Sequence, residues 1–295
     1  MIEHRQKTRL AALTLISVLS FPRSMAMGQT TRTDRTANVD RGLKAREAML
    51  EIFRKKDQTA VDRYFSEPFV QHDVTVPDGL PGLRALAAEV AASPDANITI
   101  YRTLEDGEFV LLHSKYEALP GHAGPMIAFD LFRFRGDRIV EHWGGQEPEA
   151  PPNPSGRTQV DGPVDVVDRD KTEVNRTLVR SFKQVITVDL KFDRVGEFID
   201  ADHYMQHASK VGDGARQMKA RVADVVKPGT EPVLQPRRYI ADGNFVLALV
   251  EAHAKGGPTS NWDLFRVENG KILEHWDVLA PVPPREQWKN ANGPY

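Results

Sequence analysis

The stretch Asn261 to Asp277, NWDLFRVENGKILEHWD, decides the fold. Two segments of alternating polarity flank Asn269-Gly270. Such a pair is the strongest short-range hairpin signal, because both residues tolerate the positive φ of a two-residue turn. The same text occurs 133 positions earlier, from Ala128 to Gly144, with Asp-Leu-Phe-Arg, the Ile and Glu-His-Trp unchanged. Two copies of one hairpin imply two copies of one domain. The copies part at their last position, where Asp277 stands against Gly144.

Outward from the hairpins the order of elements repeats. Ala45, Ala48, Met49, Ile52 and Phe53 recur at helical spacing, and Leu178, Phe182, Val185 and Ile186 repeat it in the second copy. Second helices are expected around Val61–Phe65 and Val195–Ile199, and third helices over Leu83–Ala92 and Ala215–Val226. Phe69-Val70-Gln71-His72 answers Tyr204-Met205-Gln206-His207. The period then becomes two, predicting strands at Ile98–Leu104, Phe109–Glu117, Met126–Phe134 and Arg138–Gln146 and their counterparts. Helices followed by hairpins argue an α+β class, three helices on a curved antiparallel sheet of four or more strands, with a cone-like cavity between. The expected boundaries are 43–147 and 172–282 for the two domains, 148–171 for a Pro-rich, semi-rigid linker and 283–295 for a surface tail.

Residues 1–26 have the plan of a cleavable export signal: Arg5, Lys7 and Arg9, an apolar run from Leu10 to Phe21, then Ser24-Met25-Ala26. The run is short for a membrane span. Residues 27–42 read as a flexible tether, so the expected location is periplasmic or secreted. A net charge of −2 gives no electrostatic case for nucleic acid or an anionic membrane. The chain has no cysteine, which removes disulfides, thiolate metal sites and cysteine nucleophiles.

The order of elements, the Gln-His pair and the Asp-x-Phe-Arg…Glu-His-Trp-Asp ending resemble the SnoaL-like family of the nuclear transport factor 2-like superfamily, in particular its aldol-condensation (polyketide cyclase-like) group. The second copy carries the motif fully, while the first has Gly136-Asp137 at the turn and Gly144 at the end. The resemblance implies two tandem cone-shaped domains that pair within one chain as an intramolecular pseudo-dimer. It also implies cofactor-independent acid/base removal of a proton alpha to a carbonyl on a small apolar or aromatic substrate. No metal or organic cofactor is expected. The alternative is a periplasmic binding or interaction module of the same fold without chemistry.

Alternation on the last strand puts His275 and Asp277 on one face and Glu274 and Trp276 on the other. With a plain two-residue turn, Asp263 sits opposite Trp276 and Trp262 opposite Asp277. The two acids then lie on opposite faces unless a bulge intervenes. Asp277 is the favoured base and Asp263 its competitor, and the resemblance suggests His207 as acid partner. Trp262 or Trp276 would form an aromatic wall, with Phe265, His275 and Tyr204 completing the lining. The first-domain equivalents are His72, Asp130, His142 and Trp143, in a copy expected to be degenerate because of Gly144. Each nominee also has a structural reading, such as an Asp263–Arg266 ion pair, a backbone-bonded histidine or a core tryptophan.

Overall fold

A computed structural model of the chain describes residues 40–225, 233–254 and 257–295. The expected signal and nearly all of the tether lie outside them. The first copy runs α1 (Arg41–Phe53), α2 (Ala60–Tyr64), β1 (Phe65–Gln71), α3 (Gly79–Ala91), then β2 (Asn97–Asp106), β3 (Phe109–Glu117), β4 (Met126–Arg135) and β5 (Arg138–Pro148). The second runs α4 (Thr172–Phe182), a π-helical turn over Lys183–Val188, a 3-10 segment (Phe192–Glu197), β6 (Met205–Gln206) and α5 (Ala215–Val225). Strands β7 (Val233–Asp242), β8 (Phe245–Ala254), β9 (Gly257–Glu268) and β10 (Lys271–Pro281) follow. Among the described residues no helix is long and apolar enough to cross a membrane.

The two sheets have one topology, β1-β5-β4-β3-β2 and β6-β10-β9-β8-β7. Each is therefore five-stranded and mixed, rather than purely antiparallel. The Gln-His segment adds a short strand parallel to the last one, with Gln71 beside His142 and Gln206 beside His275. The expected second helix of the second copy is replaced by the 3-10 segment, and the end of its expected first helix by the π turn. Val185, Ile186, Thr187 and Val188 form a β-branched run of low helix propensity, and Gly196 follows. Helix α3 starts four residues earlier than its periodicity suggested, because Pro81 falls in the first turn, where no intrahelical N–H is lost.

Local chemistry explains the rest. Asp40 caps α1 by accepting from Leu43 N at 2.7 Å. Asn269 and Gly270 both have positive φ, as the hairpin signal requires. The turn is followed by a bulge: Ile272 pairs with Val267, but Glu274 pairs with Arg266, leaving Leu273 as the extra residue. The first copy has the same bulge at Val140.

Three apolar clusters result. One packs α1 and α3 on the inner face of the first sheet, through Ala45, Met49, Phe53, Leu83, Ala128 and Phe132. Another repeats this in the second copy with Phe182, Phe198, Tyr204 and Phe265. Between them the outer faces of the two sheets share one cluster, including Phe129, Leu131 and Trp143 from one sheet and Trp262, Leu264 and Trp276 from the other. The approach is close at Gly145, where a Cβ would collide with the indole nitrogen of Trp262. Arginines bridge it reciprocally: Arg102 lies 4.2 Å from the Trp276 ring centre and Arg238 lies 4.5 Å from that of Trp143.

Candidate functional site

The bulge corrects the expected register. Asp277 pairs with Asp263, so the two acids share the inner face of the second sheet, whereas Trp262 pairs with Val278 and Trp276 with Leu264. One extra residue inverts the facing of everything beyond it. Trp262 and Trp276 therefore belong to the core between the sheets and wall neither cone.

His207 is not brought to the acids either. It is fully buried against the opposite face of β10, stacked on Trp276 at 4.6 Å and bonded to Glu274 at 2.8 Å. Its Nδ1 meets Thr158 O at 2.9 Å and the Asp161 carboxylate at 2.6 Å, both from the linker. Burial pushes the Glu274 carboxyl up, but His207 and Arg266 pull it below its ordinary value. His72, Trp143, Glu141 and Arg133 repeat the arrangement in the first copy, with His72 stacked 4.4 Å from Trp143. These histidines hold sheet edges.

Beneath the second sheet Asp263 is buried and bonded on both oxygens, to Lys183 Nζ at 2.7 Å and to His275 Nε2 at 3.1 Å. Gln206 Oε1 accepts from Ala208 N, which identifies it as the oxygen, and His275 Nδ1 therefore donates to it at 2.9 Å. The contact at Nε2 is then a hydrogen bond only if a proton lies between Nε2 and Asp263. Burial would raise the Asp263 carboxyl, but Lys183 and His275 together hold it far below the usual carboxylate range. Donor atoms of Asp263, His275 and Asp277 lie within 4.8 Å of one another, a spacing a metal ion could use. Lys183 and His275 both lie against Asp263 in this group. Phe265 and Tyr204 line this face, with Phe265 4.7 Å from the His275 ring.

The first copy builds the same dyad and surrounds it differently. His142 Nδ1 meets Gln71 Oε1 at 2.9 Å and its Nε2 meets Asp130 at 3.2 Å. The position of Lys183 is Leu50, and the second Asp130 oxygen instead accepts from Tyr116 Oη at 2.8 Å. Burial, then the charges of Asp130 and Asp73, push the Tyr116 hydroxyl well above its ordinary value, so it stays a donor. At Gly144 there is no side chain. A Cβ built there would lie 3.5 Å from Asp73 Oδ2 and 3.6 Å from His142 Nε2. Asp73 Oδ1 is occupied by Thr75 N and Oγ1, which aims Oδ2 at this space. The second copy has Ala208 where the first has Asp73, and Asp277 where the first has Gly144. The carboxylate sits on the loop after β1 in the first copy and on the last strand, β10, in the second.

A cavity of about 370 Å³ opens here. Met49, Ile52, Phe69, Leu83, Leu86 and Phe132 form apolar walls, and Gln71, Asp73, Tyr116, Asp130, His142 and Gly144 converge at its polar end. Asp73, Tyr116 and Gln71 were not among the site residues suggested by sequence. The signal for Asp73 was one position beyond the matched Gln-His pair.

Residues 47–142 match the family model of the SnoaL-like domain, and the first copy is a domain of that family. No curated relative matches the chain. Solved structures similar to it include a candidate ketosteroid isomerase from Kribbella flavida, at 18% identity and a TM-score of 0.33, covering 39% of this chain and 87% of that one. A candidate polyketide cyclase from Acidithiobacillus ferrooxidans is similar at 22% identity, a TM-score of 0.31 and coverage of 36% and 86%. An NTF2-like protein of unknown function from Burkholderia xenovorans is similar at 17% identity, a TM-score of 0.34 and coverage of 43% and 100%.

Proposed function

We propose that the chain is a cofactor-independent acid/base enzyme that removes a proton alpha to a carbonyl of a small apolar substrate, and that the first cone is its reactive copy. The observation that carries this is the open apolar cavity ending on Asp73, with a phenol, an imidazole and a second carboxylate alongside. Asp73 Oδ2 is the base. It takes the proton from carbon, and its negative charge passes to the enolate oxygen, so the buried charge is unchanged. The His142–Asp130–Tyr116 network supplies the donor to that oxygen. Apolar walls exclude water and strengthen both interactions. Asp263, the competing base of the sequence reading, is held by Lys183 and His275, and on this reading it and the favoured Asp277 serve structure.

The test is deuterium uptake alpha to the carbonyl over a panel of β-diketones and β-ketoesters. Asp73→Asn is expected to lower uptake by about 10²–10⁴-fold, the usual range for a general base, while Asp277→Asn keeps it. Uptake lost in Asp277→Asn alone would return the reaction to the second cone. Binding of the compounds with no uptake in any form would leave a ligand-binding module.

A further inference from the structure

The segments that trail the last strand of each copy contain one short motif that the function above does not use: Asn153-Pro154-Ser155-Gly156 in the linker and Asn290-Ala291-Asn292-Gly293 in the tail. Both are ordered, and each crosses to the other copy. Asn153 Nδ2 donates to the carbonyls of Gln206 at 2.5 Å, Ala208 at 3.4 Å and Val211 at 2.9 Å, while its Oδ1 accepts from Ser155 N at 2.9 Å. In the tail, Asn290 Nδ2 donates to Asp73 O at 2.7 Å and Val76 O at 2.9 Å, and its Oδ1 accepts from Asn292 N at 3.1 Å. The carbonyls addressed are equivalent, since Asp73 corresponds to Ala208 and Val76 to Val211.

The tail holds the loop that carries Asp73 at three further points. Lys289 N donates to Val74 O at 2.8 Å, Asn292 Nδ2 to Gln71 O at 2.9 Å and His72 Nδ1 to Gly293 O at 2.9 Å. Within the loop, Asp73 N donates to Gln71 Oε1 and Val76 N to Asp73 O. Carbonyls at the end of a short parallel strand have no further ladder partner, and an asparagine side chain supplies two donors in fixed geometry. Lys289 also stands at the rim of the cavity.

We infer that the tail of the second copy is a working part of the first copy's site, and that Asn290 is a positioning residue that fixes Asp73 through its main chain. The inference rests on the reading of Asp73 as base. A site in one cone is thereby completed by chain that follows the other cone.

The experiment compares full-length wild type, Asn290→Ala and the mirror variant Asn153→Ala. Amide hydrogen exchange of the peptide spanning 71–78 is measured together with the deuterium-uptake kinetics. Asn290→Ala is expected to accelerate exchange in 71–78 by about tenfold, as for a locally released loop, with the strands of the second sheet unchanged. It should also lower kcat by about tenfold with KM within about twofold. Asn153→Ala should leave 71–78 as in wild type. Asn290→Ser, whose hydroxyl can still accept from Asn292 N, serves if the alanine variant does not fold. Unaltered exchange in 71–78, or equal acceleration by Asn153→Ala, overturns the inference. So does faster exchange with unchanged kcat. Absence of uptake in wild type would sink the chemistry instead, and the exchange comparison would still decide whether Asn290 fixes the loop.

Discussion

At the floor of the first cone a buried aspartate meets a phenol; at the floor of the second the equivalent aspartate meets an ammonium. Asp130 and Asp263 share the same Gln–His support to within 0.1 Å at the His–Asp contact, 3.2 against 3.1 Å. What differs is the third partner, Tyr116 from the sheet in one and Lys183 from the helical layer in the other. The second difference is the extra carboxylate, on the loop after β1 in the first cone and on β10 in the second. Together these make one cone an open cavity with a carboxylate facing it and the other a closely bonded cluster of Lys183, Asp263 and His275. On the proposed function, a duplicated frame would separate a reactive role from a supporting one by moving single side chains.

The sharpest way to break this contrast is Lys183→Leu, the residue the first copy has at that position. It removes the cation from the buried Asp263 carboxylate and should cost about 3–5 kcal/mol, the usual consequence of orphaning a buried charge. Urea denaturation measures it, and adding Asp263→Asn should restore most of the loss. A cost below about 1 kcal/mol would mean that Lys183 does not balance the cluster. The pH dependence has a defined sign. Asp263 is depressed in the folded state, so the stability it contributes is present above about pH 4 and is lost as pH falls below that.

The next test concerns the approach of the sheets. Gly145→Ala places a methyl against Trp262 and should destabilise by about 1–3 kcal/mol. Gly145→Ala/Trp262→Phe, which copies the ring of Phe129, should recover part of it. A fully additive double mutant would show that the two positions are not coupled.

A third probe sits between the copies. Glu147 of β5 accepts from Leu279 N of β10 at 3.1 Å, and its carboxyl is pushed up to about 7 by burial and then by Asp277. A carboxyl raised on folding loses stability as pH rises from its unfolded value near 4 to about 7, and the loss is constant above. Glu147→Gln should therefore raise stability at pH 8 by about 2 kcal/mol and change little at pH 4. Equal shifts at both pH values would remove the titration from the explanation. The smallest expected effect is Gly144→Ala, whose Cβ lies 3.1 Å from His142 Cε1 and enters the space before Asp73. It should slow uptake by about tenfold or less, with folding stability within about 1 kcal/mol of wild type.

Much of the frame was legible in the chain. The repeated hairpin, the turn at Asn269-Gly270 and the helices-then-strands order all rest on local periodicity, and they reappear in the structure. The facing of the acids was not legible. Val140 and Leu273 are apolar residues in apolar strands, and nothing local marks them as the residues that bulge. Lys183 was hidden for a similar reason: on a helix a lysine reads as a solvated face, and only the fold sets it under Asp263. Gly144 reads in the sequence as the mark of a degenerate copy, and the proposed function parts from that reading because Asp73 brings a carboxylate to the same space. A replacement from Asp73 becomes visible only when β1 is laid alongside β5.

The contact between Gly145 and Trp262 carries a last consequence. In an assembly of two identical subunits, a residue and its symmetry mate must be the same, so a tryptophan on one side is a tryptophan on the other. Here the equivalents of Trp262 and Gly145 are Phe129 and Val278, and bulk on one side meets vacancy on the other. Such a lock needs two different partners. Either half paired with a copy of itself would meet a collision or a void at this point.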